Sequence, residues 1–274
     1  MRTSLGQTPL GRQVPSPQQY DPGQLAGLDR ADTRSGLDMP PGWHGADVWN
    51  AYELSWLNLR GKPEVAMGRF IIPWDSPRLI ESKSLKLYLN SLNQARLDGP
   101  AAFGERVTAD LSAAAGSPVT VQIFPLRTMA PGSLDHPEGI SLDALDIAIE
   151  DYQPRPDLLS CRAQAGIVTE TLTSDLLRSN CPVTGQPDWG SVQIRYTGPA
   201  MDHARVLAYI VSLRQHTGFH EHCVESIFCD IWHACRPTAL AVSAWYLRRG
   251  GLDINPWRAS HAAWAPEPLR TPRQ

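Results

Sequence analysis

Apolar residues recur along this chain at two spacings, every second position and every third or fourth, and the two spacings follow one another in the same order twice. Period two belongs to a half-buried strand, and a period near 3.6 belongs to a helix lying on a core. The chain is therefore read as strands and helices packed in layers, in two similar halves. In the first half, Ala51 to Leu59 and Val65 to Ile72 read as strands through Tyr52, Leu54 and Trp56, then Val65, Phe70, Ile71 and Ile72. Pro73-Trp74-Asp75-Ser76-Pro77 breaks the second strand. Leu85, Tyr88, Leu89 and Leu92 keep helical spacing, with Ser82 as the expected N-cap. A second helix is predicted over Ala102 to Ala115 from Phe103, Val107, Leu111 and Ala114, closed by Gly116-Ser117-Pro118. Val119, Val121 and Ile123 alternate with polar neighbours, as do Leu145, Ile147 and Ile149, which predicts two further antiparallel strands.

Pro154 and Pro156 mark the junction, after which the order of elements recurs. Ile167 to Leu177 and Ser191 to Thr197 are strands by pattern, and Asp202 is placed to cap a helix whose apolar face is Val206, Leu207, Ile210 and Leu213. Another helix begins near His220, buries Val224, Ile227, Phe228, Ile231 and Cys235, and ends before Pro237. Leu240, Val242, Ala244 and Tyr246 then alternate toward Arg248-Arg249-Gly250-Gly251. The expected organisation is α+β: an N-terminal arm over residues 1–45, a first half over 46–153 and a second over 154–274. Each half has an antiparallel sheet and a pair of helices. The repeat lies in element order, not in residue identity.

Composition narrows the function classes. A formal charge of −3 over 274 residues gives no global basic field to recruit nucleic acid. No apolar run reaches the roughly 18 to 20 residues of a membrane helix, and the N-terminus lacks the apolar stretch of a secretory signal. Five cysteines, none in a CxxC pair, suit a reducing cytoplasm. Neither GxGxxG nor GxxxxGK[ST] occurs, so no nucleotide site is read from those patterns.

Four stretches carry side chains suited to chemistry. Between Ser179 and Ser191, Pro182, Gly185, Pro187 and Gly190 bar a helix, exposing Cys181 on a loop with Asp188 seven positions on. A thiolate with a proton donor nearby is a nucleophile; the alternative is an inert buried cysteine. Gly218-Phe219-His220-Glu221-His222-Cys223 opens a helix, where unpaired N–H groups favour acceptors, although Glu221 is also an ordinary first-turn residue. Glu81-Ser82-Lys83-Ser84-Leu85-Lys86 opens another, and Lys83 and Lys86 face either a phosphate or solvent. Arg248-Arg249-Gly250-Gly251 is either a phosphate-gripping turn or a plain hairpin tip. His216, His220, His222, Cys223, Cys229, His233 and Cys235 also offer ligand spacings for zinc.

Taken together these blocks resemble the QueF-type nitrile reductases. The matching residues are Glu81-Ser82-Lys83-Ser84-Leu85-Lys86-Leu87-Tyr88, Ser179-Asn180-Cys181 with Gln186-Pro187-Asp188-Trp189-Gly190-Ser191, Phe219-His220-Glu221, and Arg248-Arg249-Gly250-Gly251-Leu252-Asp253-Ile254-Asn255-Pro256. The resemblance spans nearly the whole chain, in the long two-half form of the family. It implies the tunnelling fold and NADPH-dependent reduction of the small molecule 7-cyano-7-deazaguanine to 7-aminomethyl-7-deazaguanine, on the route to the tRNA base queuosine. It further implies no metal, no direct contact with nucleic acid or membrane, a cytoplasmic setting and a homodimer. Cys181 is then the nucleophile, Asp188 the general acid and His220 a group that positions or protonates the nitrogen. Ile80, Glu81, Ser82, His220 and Glu221 are expected at the substrate, and Ser82, Lys83, Arg249 and Gly250 at NADPH. If Cys181 and Glu221 line one pocket, Cys223 is expected within disulfide reach of Cys181. The rival readings are a zinc-dependent cyclohydrolase or deaminase acting on a purine-like substrate, and a non-enzymatic purine-binding module.

Overall fold

The structure is a computed structural model and describes residues 17, 19–128 and 134–274. The chain forms two compact units. The described residues of the first fall within Met1–Ser35, Asp47–Gly132 and Arg248–Asp253, and those of the second within Gly36–Ala46, Ser133–Leu247 and Ile254–Gln274.

The first unit holds β1 (Gly27–Asp29), α1 (Arg30–Thr33), most of β2 (His44–Leu57), β3 (Pro63–Pro73), β4 (Arg78–Ile80), α2 (Ser82–Ser91), α3 (Gly99–Ala115) and β5 (Thr120–Pro125). Its main sheet runs β5-β3-β2, with Phe70 opposite Val121, and β1 pairs separately with β4. Alternation along β3 sends Phe70 and Ile72 inward, where Trp56 of β2 meets Phe103 of α3 at 4.8 Å between ring centroids. Val107 and Leu111 continue that buried face of α3, as their spacing predicts. Pro100 sits at the helix start, where its missing N–H costs nothing, so α3 begins before the expected Ala102. The expected N-cap of α2 is corrected: Ser82 is the first helical residue, and Glu81 caps, accepting from Lys83 N and Ser84 N. The longer carboxylate reaches two N–H groups where a hydroxyl reaches one. Residues 1–16 and 18 of the expected arm lie outside the described residues. Further on, Arg30 is buried against Asp47 at 2.5 Å, with Ser76 Oγ accepting from its Nε.

The second unit holds β6 (Ile140–Ser141), β7 (Ile167–Asn180), β8 (Pro187–Pro199), α4 (His203–Ser212), α5 (His220–Cys235), β9 (Ala239–Tyr246) and most of β10 (Leu252–Ala259). The order is β10-β9-β8-β7-β6, antiparallel except for the β6–β7 pair, with a register shift in β7 between Ser174 and Leu177. Asp202 caps α4 through Arg205 N, and α5 opens at His220, both as expected. Tyr209 donates to Asp230 Oδ2 at 2.6 Å, tying the two helices together.

Two expectations fail here. Leu145 to Ile149 is not a strand: Leu142 takes the buried place, and the segment that follows is largely exposed with no ladder partner. β9 does not alternate between buried and exposed positions; it is buried at all eight, as a strand covered on both faces must be. The short β1, β4 and β6 went unread, and so did one long strand. β10 carries Pro256 and the buried polar residues Asp253 and Asn255, a composition that argues against a strand. The α+β class holds, and a mainly antiparallel sheet with a longer helix pair in each unit, α2 and α3 in the first and α4 and α5 in the second, is the arrangement expected of the tunnelling fold.

Candidate active site

Cys181 stands at the neck of a six-residue loop. Its N–H donates to Gln186 O (2.9 Å) and its carbonyl accepts from Gly185 N (3.1 Å), so the β7–β8 ladder closes one rung past Asn180 and Pro187. The end of β7 is held from outside as well. Asn180 N donates to His216 O, Gly218 N donates to Asn180 O, and the Asn180 amide reaches Arg214 O and His216 O. Proline and glycine leave the loop no regular hydrogen bonding of its own, so these anchors hold the half-exposed thiol in place.

Asp188 lies opposite Ser179 in the register. Strand alternation carries Ser179 and Cys181 to one face, and Asp188 shares it. The segment Leu213–Phe219 then delivers α5, whose first residue His220 puts Nε2 3.6 Å from Asp188 Oδ2, both side chains largely buried. α5 starts at Phe219 without a side-chain cap, so the positive end of its dipole is left for Glu221, which is buried in the first turn, and for acceptors near His220. The His220 ring lies 4.0 Å from that of Tyr246.

Behind this pair, Ser179 Oγ, Tyr246 OH and His220 Nε2 are buried without hydrogen-bond partners. Cys223 is fully buried beside Tyr246 and Ser179, and burial pushes its thiol up to about 11. It is a free thiol here, as is Cys181. Ser179 and Tyr246 are the site residues the pattern did not single out. Tyr246 closes an apolar alternation, and nothing in that alternation separates a core tyrosine from one aimed at a ligand.

Ile80, Glu81, Ser82 and Lys83 belong to the first unit, together with Arg249 and Gly250. Ile80 is a buried β4 residue opposite Gly27. Glu81 is wholly buried, and its two oxygens accept from Lys83 N (2.7 Å) and Ser84 N (2.8 Å). Burial raises its pKa and these bonds oppose the rise. Oε1 also accepts from Ser82 Oγ (3.4 Å), so the carboxylate is held by three donors of its own helix start. The turn Arg248–Gly251 closes through Arg249 N to Leu252 O, with φ of +58° at Gly250 and +75° at Gly251. A side chain at Gly250 would strike the Lys86 ammonium end, so the turn and α2 are in close contact.

The histidines and cysteines counted as zinc ligands are spread apart. Cys229 meets Met39 Sδ, His233 meets Asp38 O, and the rings of His216 and His222 stack at 5.5 Å. Burial lowers the pKa of both stacked rings, that of His216 to about 4. Among the described residues no three His, Cys, Asp or Glu side chains converge as a metal site.

Comparison with known proteins then places the chain. A family model described as nitrile reductase, 7-cyano-7-deazaguanine-reductase N-term, matches residues 16–123, and one described as QueF-like protein matches 187–264. The NADPH-dependent 7-cyano-7-deazaguanine reductase of Bordetella pertussis is 52% identical over 273 residues, covering 99% of this chain and 100% of its own. That of Burkholderia ambifaria is 51% identical over 269 residues, covering 97% and 98%. A solved archaeosine synthase, QueF-Like in the apo form, aligns with 34% of this chain at 16% identity and a TM-score of 0.30, and adds nothing to the assignment. On the two near-full-length relatives, the chain belongs to the 7-cyano-7-deazaguanine reductase family of nitrile reductases.

Proposed function

We propose that Cys181, Asp188 and His220 are the reacting groups of this nitrile reductase. The chain reduces 7-cyano-7-deazaguanine to 7-aminomethyl-7-deazaguanine with NADPH, and its near-full-length likeness to reductases of that name supports the reading. The observation that carries the residue roles is the 3.6 Å approach of Asp188 and His220, on the strand face that Cys181 extends.

A nitrile carbon accepts a thiolate more readily than a direct hydride, so the Cys181 sulfur bonds it and opens one C–N π bond. Asp188 gives a proton to the nitrogen, leaving a covalent thioimide. NADPH supplies two hydrides over the cycle, because nitrile to amine is a four-electron reduction. Between them the C–S bond breaks, the electron pair returns to Cys181, and Asp188 and His220 supply the remaining protons to nitrogen. His220, packed on Tyr246 and beside Asp188, holds the nitrogen end. Glu221 suits the adjacent N–H donors of a guanine-like edge; Glu81, with Ile80 and Ser82 beside it, is a carboxylate of the same kind within the first unit.

Ser82, Lys83, Arg249 and Gly250 form the cofactor locus within the first unit. The fit rests on the tight turn, a backbone a phosphate can approach closely, and on Lys86 packed against it. The finer reading is a cytoplasmic homodimer acting on a free small molecule. It is supported by the absence among the described residues of a helix long and apolar enough to cross a membrane, and by β5 standing at the end of its sheet.

Incubation with 7-cyano-7-deazaguanine without NADPH, followed by intact mass, is expected to give a substrate-sized adduct on the wild type and none on Cys181→Ala. An adduct on Cys181→Ala, or NADPH oxidation by it, would overturn the assignment. Stoichiometric zinc on the purified protein would favour the cyclohydrolase instead.

A further inference from the structure

Three guanidinium groups converge on one indole that the reaction does not use. Arg178, opposite Trp189 in the β7–β8 register, lies 5.6 Å from its ring centroid, Arg214 lies at 5.2 Å, and Arg273 lies at 5.6 Å. Alternation turns this rung away from the face shared by Ser179 and Asp188 on the next. No salt bridge holds any of the three among the described residues. Arg178 Nη1 donates to Arg214 O (2.9 Å), Arg273 Nη2 donates to Asp175 O (2.9 Å), and Arg178 Nε is buried without a partner. The Asp175 carboxylate on that side is engaged by Ser191 Oγ and approached by His136.

Beside this cluster is a cavity of about 450 Å³, lined by Tyr152, Arg178, Val211, Arg214 and Gln215. Its floor is braced: Gln215 N donates to Tyr152 O and Gln153 Nε2 donates to Gln215 Oε1. Like charges gathered on one ring repel, and contact with the indole satisfies guanidinium faces but leaves the Arg214 fork and Arg178 Nε to be answered by something else. An anion with several oxygens answers both needs. Phosphate fits two separate forks better than a single carboxylate does, and the cavity has room for an organic group along the Tyr152 ring.

We propose that this cavity binds a phosphate-bearing small molecule through Arg178 and Arg214. The ligand is inorganic pyrophosphate or the phosphates of a nucleotide, and the site lies on the reverse face of the strands that carry Ser179 and Asp188.

Titration calorimetry of the full chain at low salt, with pyrophosphate, ATP and NADP⁺ in turn, tests it. Wild type is expected to bind pyrophosphate, and Arg178→Gln/Arg214→Gln to bind it at least ~10-fold more weakly, because two charge-assisted forks are lost. A matching loss for ATP alone identifies a free nucleotide as the natural source, and a loss for NADP⁺ as well identifies the cofactor's own phosphates. If the double variant does not fold, Arg214→Lys keeps the charge and removes the fork, and is expected to bind pyrophosphate at least ~3-fold more weakly. Undiminished pyrophosphate binding by a folded variant, or none by wild type at millimolar concentration, overturns the proposal.

Discussion

At the residue scale, the chain keeps its ionisable groups in two conditions. Cys223 and His216 are held neutral by burial, the first pushed up to about 11 and the second down to about 4, while Cys181 stands half-exposed at a loop neck. A neutral Cys223 next to an acid adds no negative charge where, in the proposed reaction, Asp188 gives up a proton. The His216 shift has a consequence for stability. In the unfolded chain His216 takes a proton near its ordinary 6.5, whereas in the fold it resists until about 4, so stability drops as pH falls through that window and is intact above it. Urea unfolding at pH 7 and pH 4.5 is expected to show a loss about 2 kcal/mol larger for wild type than for His216→Gln. Equal losses would mean that the buried ring is not what the acid disturbs. That Cys181 sits on a loop, with Asp188 just beyond it, was legible from proline, glycine and spacing. Tyr246 was not, because its hydroxyl differs from a core phenol only in what surrounds it.

At the element scale, helix starts place the chemistry. Glu81 and Asp202 cap α2 and α4 with their carboxylates, whereas α5 begins uncapped at Phe219, beside His220 and Glu221. A start left open in a buried place stays available to a ligand; one closed by its own side chain serves stability first. Asp202→Ala is expected to lower stability by about 1 kcal/mol and the melting temperature by a few degrees. The rate of adduct formation at Cys181 should be unaffected, since Asp202 touches none of the reacting groups. A slowed rate in a folded variant would show that α4 helps to hold the site. The cap at Asp202 and the opening of α5 at His220 were readable because they are local. The choice between Glu81 and Ser82 was not, since either side chain satisfies the local pattern and burial of the carboxylate settled it.

At the scale of the whole molecule, each unit carries a buried arginine–carboxylate pair among its described residues. In the first it is Arg30 with Asp47, and in the second Arg258 of β10 with Glu225 of α5 at 2.7 Å. Arg258 also reaches Ala46 O and Trp257 O, so it binds β10, α5 and the first residues of β2 within one unit. Arg258→Met is expected to lose about 3–5 kcal/mol in thermal unfolding by stranding Glu225, and Arg258→Met/Glu225→Leu to regain most of it. If the double variant is no better than the single, packing around the arginine matters more than its charge. Spacing along the chain was enough to read the α+β class, the openings of α4 and α5 and the loop that carries Cys181, because periodicity, capping and proline act over a few residues. Partners far away in the chain made the other choices. They left Leu145 to Ile149 unpaired, admitted Pro256 to a strand, buried both faces of β9 and gathered three arginines on Trp189. Ladder bonds, burial and charge clustering depend on what arrives from elsewhere in the fold, and no local pattern records that.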